Sequence, residues 1–161
     1  MPEGEISFDD PRAEDVRALL ERHLAFTEMH SPPEDCHALD IDGLLDPSVT
    51  FFSFRRHGVL LGMGAVKQLD QDHAELKSMH TAAAERGGGI GRAMVEHLIG
   101  VARDRGCRRI SLETGSNAAF APSRALYTRA GFTSCEAFGD YVPSQNSTFM
   151  TLSLTGADSE I

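Results

Sequence analysis

Apolar positions follow two periods along the chain. Val16, Leu19, Leu20 and Leu24 recur at helical spacing and predict a helix running to about Thr27. Asp10 and Pro11 read as its start, an N-cap followed by proline at the first helical position. The run "HSPPED" ends it, because two prolines cannot continue a helix. "CHALDIDGLLD" predicts a short second helix or a turn, and "EISFDD" a short first strand. "VTFFSFRR", "GVLLGMGAVKQL" and "AELKSMHT" then read as three strands. His57-Gly58 and "DQDH" supply the turns, which makes an antiparallel meander. In the third of these strands, alternation puts Glu75, Lys77 and Met79 on one face and His80 on the other.

The helical period returns at Ile90, Met94, Leu98, Val101 and Ala102, the buried stripe of a long helix that ends at Gly106. "RRISLET" is a strand. "PSRALYTRAG" is a short helix, opened by Pro122 and closed by Gly131. "FTSCEAF" and "STFMTLSL" are the last two strands. The predicted order is β, α, α, three strands, α, β, α, β, β. The central strand–helix–strand unit is expected to be a right-handed parallel crossover.

A length of 161 residues suits one domain, here 1–161 with a core at about 5–154. Apolar residues make up 41% of the chain, which fits a soluble globular protein. No apolar run approaches the ~18 residues of a membrane span, so no membrane partner is expected. The acidic start "MPEGEISFDDPRAED" lacks the features of a signal peptide. Cys36, Cys107 and Cys135 form no C-x-x-C and read as free thiols in a reducing cytoplasm. The tail "TGADSEI" is expected to fray.

Charge changes the picture locally. The net charge is −9, which argues against nucleic acid as a partner. Residues 86–129, however, hold eight arginines against Glu96, Asp104 and Glu113. That segment therefore carries +5 and the remainder −14. The basic segment opens on "ERGGGIGR", four glycines in five positions ahead of the long helix. Glycine at a helix start admits an anion to the free backbone N–H groups and to the positive end of the helix dipole. A triphosphate P-loop is excluded, since neither lysine nor hydroxyl stands in place. A dinucleotide fingerprint fits only part way, with Met at 94 and antiparallel strands ahead. Arg86-Gly87-Gly88-Gly89-Ile90-Gly91 fits a third spacing in full: arginine, two residues, glycine, one residue, glycine.

In "KSMHTAAAERGGGIGRAMVEHLI" and "SRALYTRAGF", about 35 residues apart and in this element order, the chain resembles the GNAT family of N-acetyltransferases. The resemblance covers about residues 5 to 154. It implies an α/β (α+β) fold with a mixed, mostly antiparallel sheet of about seven strands. Helices would cover both faces, and the sheet would splay between the fourth and fifth strands. "ETGS…AFAPSRALYTRAGF…FGDY…NSTFMTL" is also similar to a bacterial branch of the family, some members of which are labelled as acting in indole-acetate metabolism.

The resemblance further implies acetyl-coenzyme A as co-substrate. Its pyrophosphate would lie on the N–H groups from Gly87 to Arg92, that is Gly87, Gly88, Gly89, Ile90, Gly91 and Arg92, with Arg86 beside them. Its pantetheine arm would pair with the main chain at Met79 and Thr81. A backbone N–H near Met79 or His80 would hold the oxyanion. Tyr127 matches the family's tyrosine, which protonates the departing thiolate. Thr81 and Ala83 stand where a valine-like residue and a proline are frequent. Phe120 stands where many members carry a cofactor-binding asparagine, a role left to Asn117 or Ser123.

The base is open among Glu75, His80, Glu113 and a water chain, with Glu75 the first choice. "EMHSPPEDCHALD" sits where the family builds its acceptor site, which makes His30, Glu34 and His37 candidate acceptor contacts. His23, His30 and His37 recur every seven residues, but Pro32-Pro33 breaks any shared helix face, so no metal is expected. The expected activity is transfer of acetyl to the amine of a small cationic acceptor, by direct attack in a ternary complex. The expected setting is the cytoplasm, with a homodimer allowed. A non-catalytic acyl-coenzyme A binding module and a nucleotide-binding regulator are the competing readings.

Overall fold

The computed structural model describes residues 3–154, and the expected frayed tail lies outside the described residues. Seven strands form one sheet in the order β1-β2-β3-β4-β5-β7-β6. They are β1 (Glu5–Phe8), β2 (Val49–Arg56), β3 (Val59–Gln68), β4 (His73–Thr81), β5 (Arg109–Gly115), β6 (Thr133–Cys135) and β7 (Ser147–Ser153). The helices are α1 (Glu14–His30), α2 (Ile41–Leu44), α3 (Ile90–Asp104) and α4 (Ala121–Arg129). The element order is the one the hydrophobic pattern predicts.

The first helix departs from the sequence reading at both ends. Asp10 does not cap it. Its carboxylate accepts from the Arg12 backbone N–H at 2.9 Å and from Arg12 Nε at 3.0 Å, closing a turn ahead of the helix. The helix then starts at Glu14, with Glu14 and Asp15 in its first turn. It runs past Thr27 to His30, where Pro32-Pro33 stops it.

Helices cover both faces. In front, Val16, Leu19 and Leu20 of α1 and Leu44 of α2 pack on Phe51, Met63 and Ala65. Behind, Ile90, Met94, Val95 and Leu98 of α3 pack on Phe52, Val66, Leu76, Ile110 and Leu112. Ala74 and Ile110, both fully buried, join the two halves of the sheet.

All strand pairs are antiparallel except β4 with β5, and this one is short. It holds only for His73↔Arg109, Ala74↔Ile110 and Glu75↔Ser111. Beyond it, β5 follows β7 to Gly115 and β4 follows β3 to Thr81. The sheet therefore opens into a V toward the C-terminal ends of β4 and β5.

A bulge in β4 lies above the split. Lys77 faces Ala65 and His80 faces Met63, so three steps on β4 oppose two on β3. Ser78 takes the left-handed conformation there, with φ 57°. The extra residue overturns the expected alternation: His80 joins Glu75 and Lys77 on the front face, while Met79 packs against the rear cluster.

Candidate active site

A cleft of about 640 Å³ fills the V. At one end lies the glycine loop. Gly87 and Gly89 have φ of 84° and 88°, a region that favours glycine. Gly89 is the N-cap of α3, and no side chain caps the helix. The Ala93 N–H bonds Gly89 O at 3.0 Å, so those of Ile90, Gly91 and Arg92 have no acceptor within the helix. Arg86, Gly87, Gly89, Ile90, Gly91 and Arg92 line the cleft; Gly88 does not, and its N–H donates to Glu85 O at 3.3 Å. Arg86 makes no ion pair among the described residues, and Arg92 Nε bonds Glu96 at 3.1 Å on the surface. The combination is a cation-flanked bed of N–H groups suited to a phosphate.

The adjoining wall is the free edge of β4. The Ala82 N–H donates to Leu61 O at 2.8 Å, and Thr81 faces Gly62. By antiparallel alternation, the N–H and C=O of Thr81 then point away from β3, into the V. Met79, His80 and Thr81 all line the cleft. Ser78 lines it too, and its buried hydroxyl has no hydrogen-bond partner among the described residues. A strained residue with an unpaired polar atom marks a place where the fold yields to another requirement.

Tyr127 of α4 stands in the rear wall, 6% exposed, with its ring edge-on to Phe132. Its hydroxyl bonds no described residue. Burial pushes the phenol well above its ordinary value, and the charge of Glu113 adds to the rise. Ser123 lines the same wall. Asn117 does not. Its Oδ1 accepts from the Ala119 N–H at 2.9 Å and its amide donates to the carbonyl of His30, tying the loop after β5 to α1. Phe120 completes that tie, edge-on to Phe26 at 5.2 Å.

The other end of the cleft is polar and half-buried. Lys77 Nζ lies 3.2 Å from Glu75 Oε2 and 2.8 Å from the Tyr141 hydroxyl, which itself donates to Glu75. Glu75 is only 3% exposed. Burial pushes Tyr141 far above its ordinary value, and the Glu75 carboxylate adds to this. Glu113 lies on β5 past the split and forms no ion pair among the described residues. Burial raises its carboxyl. The Ser147 hydroxyl offsets part of the rise, though its oxygen reaches no partner at bonding distance among the described residues.

His23 of α1 and His80 meet in the front wall, Nδ1 to Nδ1 at 3.1 Å. Burial lowers both rings, His23 to about 3 and His80 to about 4, so both are neutral at pH 7.

Of the acceptor candidates, His37 lines the cleft, its ring edge-on to Tyr141 at 5.0 Å. His30 and Glu34 do not. His30 lies tilted against Phe26 at the end of α1, and Glu34 is exposed on the turn Pro33–Asp35. Its neighbour Asp35 faces inward and accepts from Ser144 Oγ at 2.9 Å and Asn146 Nδ2 at 3.1 Å, pinning this turn to the loop before β7. Sequence reasoning missed Tyr141 and His23. Tyr141 lies in the quoted "FGDY", while His23 stands out only in the seven-residue recurrence of histidines, which says nothing of its pairing with His80. No helix of the described residues is long and apolar enough to cross a membrane.

A sequence model described as the Acetyltransferase (GNAT) family matches residues 13–132. The uncharacterized N-acetyltransferase YsnE of Bacillus subtilis is 44% identical over 149 residues, covering 92% of this chain and 99% of the relative. An IAA acetyltransferase of Azospirillum brasilense is 34% identical, covering 93% and 97%. A Bacillus subtilis acetyltransferase solved in complex with CoA superposes with a TM-score of 0.71 at 15% identity, covering 94% and 99%.

Proposed function

The chain belongs to the GNAT family of acetyltransferases, and we propose that it moves acetyl from acetyl-coenzyme A to the amine of a small, cationic acceptor by direct attack. The observation that carries this reading is the two-ended cleft. Free N–H groups and Arg86 lie at one end, and the carboxylates of buried Glu75 and half-buried Glu113 lie at the other. The first end suits a pyrophosphate. The second, inside a chain whose remaining charge is strongly negative, suits an ammonium and disfavours a carboxylate acceptor.

In this reading the pyrophosphate rests on the start of α3, and the pantetheine arm runs along the edge of β4 at Met79 and Thr81. The acceptor enters from the front, past His37 and Tyr141. Its amine attacks the thioester carbonyl, and a backbone N–H at the bulge, near Met79, holds the negative oxygen; the His80 N–H, opposite Met63, points to β3. The carbon–sulfur bond then breaks. Tyr127, held neutral by burial, donates its hydroxyl proton to the departing sulfur. Ser123 supports the cofactor from α4 in place of the residue that Phe120 replaces.

Thermal melting tests the cofactor half: acetyl-coenzyme A raises the melting temperature and ATP does not. Mass spectrometry of amines incubated with acetyl-coenzyme A tests the transfer half. Acetylated amine is the expected product, and stabilisation by ATP with no acetylated amine would overturn the reading.

A further inference from the structure

We propose that Lys77 is an acceptor built into the chain: when no outside amine occupies the cleft, its Nζ takes the acetyl group and Lys77 becomes acetyl-lysine. The proposal rests on the acetyl-transfer reading above and adds a modification site to it.

The chain has only two lysines, Lys67 and Lys77. Lys67 is partly exposed on β3 and does not line the cleft. Lys77 lines it, on the front face of β4, with its side chain 9% exposed. Lysine is seldom buried unless paired, and here the pair is Glu75. The same strand offers its free edge to the pantetheine arm in that reading. Met79, whose N–H faces the reacting carbonyl there, is two residues further on, ~7 Å along a strand. The flexible four-carbon stem of lysine covers such a span. Lys77 therefore places a primary amine where an outside acceptor would present its own.

A lysine nitrogen attacks only after losing a proton, and its neighbours supply the base. Nζ lies 3.2 Å from Glu75 Oε2 and 2.8 Å from the Tyr141 hydroxyl, which itself donates to the same carboxylate. The proton thus has a direct path to Glu75 and a second path through Tyr141. Nζ carries three donors, and these two contacts leave one without a partner among the described residues. Charge favours the step as well. Glu75 is 3% exposed, and a buried ion pair carries a desolvation cost on both members. Acetyl-lysine beside a protonated Glu75 carries no charge, so neither group is left as an unpaired ion.

The atoms balance. Nζ begins with three protons and gives one to Glu75. The free amine then forms a bond to the acetyl carbon. As the carbon–sulfur bond breaks, the sulfur takes the Tyr127 proton. The second proton lost by Nζ restores Tyr127 through water, and the third stays on the amide. The products are acetylated Lys77, Glu75 as the carboxylic acid, and the free thiol.

The test incubates the purified chain with acetyl-coenzyme A and no amine, and compares the peptides that contain Lys67 and Lys77 by mass spectrometry. Lys77 should be acetylated ~10-fold faster than Lys67 or more, because it is held beside the thioester. The rate constant should not change with protein concentration, as a step within one chain requires. Excess desulfo-coenzyme A should suppress the mark on Lys77 and leave the slow mark on Lys67. Lys77→Arg should lose the fast mark, and Lys67→Arg should keep it. Equal marking of both lysines, a rate that rises with protein concentration, or indifference to desulfo-coenzyme A would overturn the proposal. A parallel incubation with a linear alkyl diamine separates this proposal from the reading beneath it. Acetylated diamine, with Lys77 bare when the diamine is left out, overturns the proposal and keeps the reading. Acetyl on Lys77 and never on the diamine supports the proposal and removes the small amine from the reading. Acetyl on neither overturns both.

Discussion

His23 on α1 and His80 at the end of β4 share a single hydrogen bond, Nδ1 to Nδ1 at 3.1 Å, in the wall of the cleft. One ring donates and the other accepts, so at least one must be neutral. Burial holds them near 3 and 4, below the ordinary histidine value of about 6.5. The unfolded chain therefore binds more protons than the folded one between about pH 4 and 6.5, and stability falls as pH drops through that window. Melting temperature measured from pH 7 to pH 4.5 should decline steadily. The decline should flatten in the double variant His23→Leu/His80→Leu. An equally steep decline in that variant would place the acid sensitivity elsewhere.

The glycine loop gives a second expectation. Gly89 has a φ of 88°, where a β-carbon is strained, and it starts the helix whose N–H groups face the cleft. Gly89→Val should weaken acetyl-coenzyme A binding tenfold or more by calorimetry, while circular dichroism shows a folded domain. Gly91→Val is a poorer probe, because its β-carbon would sit 3.2 Å from Leu126 Cδ2 and disturb the packing of α3 on α4. Unchanged affinity in folded Gly89→Val would remove the pyrophosphate from this loop.

Tyr127 offers a clean separation of chemistry from stability. Its hydroxyl bonds no described residue, so Tyr127→Phe removes no protein hydrogen bond. The melting temperature should stay within a degree or two of wild type, roughly the effect of a few tenths of a kcal/mol. Turnover should fall by ~10²-fold, with cofactor affinity within a few fold. Full turnover would show that the thiolate leaves without help from this residue.

The Glu75–Lys77 pair should reveal itself in urea. Its side chains are 4% and 9% exposed, so removing one partner leaves a buried charge uncompensated. Lys77→Met should lose about 3–5 kcal/mol of unfolding free energy, and Glu75→Gln/Lys77→Met should recover much of it. A double variant as unstable as Lys77→Met would mean that the charges are not what couples these residues.

Much of this fold can be read from the chain, and particular residues show why. The apolar period from Ile90 to Ala102 fixes α3, because all but one of its stripe positions are fully buried against the sheet. The meander follows from alternation and from His57-Gly58, both at positive φ. What the sequence hides is the bulge. Ser78 has no glycine to announce its left-handed backbone, so alternation puts His80 on the wrong face and hides its contact with His23. Glu75 looks free on a strand, and only the fold brings Tyr141, 66 residues later, onto its carboxylate. In "SPPEDC" the local pattern could not separate Glu34 from Asp35, because which one faces inward depends on Ser144 and Asn146.

The central claim is transfer to a cationic amine, and the most direct measurement is thiol release from acetyl-coenzyme A with acceptors of differing charge. Diamines, singly charged amino alcohols and indole acetate are compared at equal concentration. The account predicts fast, salt-sensitive release with diamines, slower release with amines lacking a second charge, and none above background with indole acetate. Release driven by indole acetate and by no amine would contradict it.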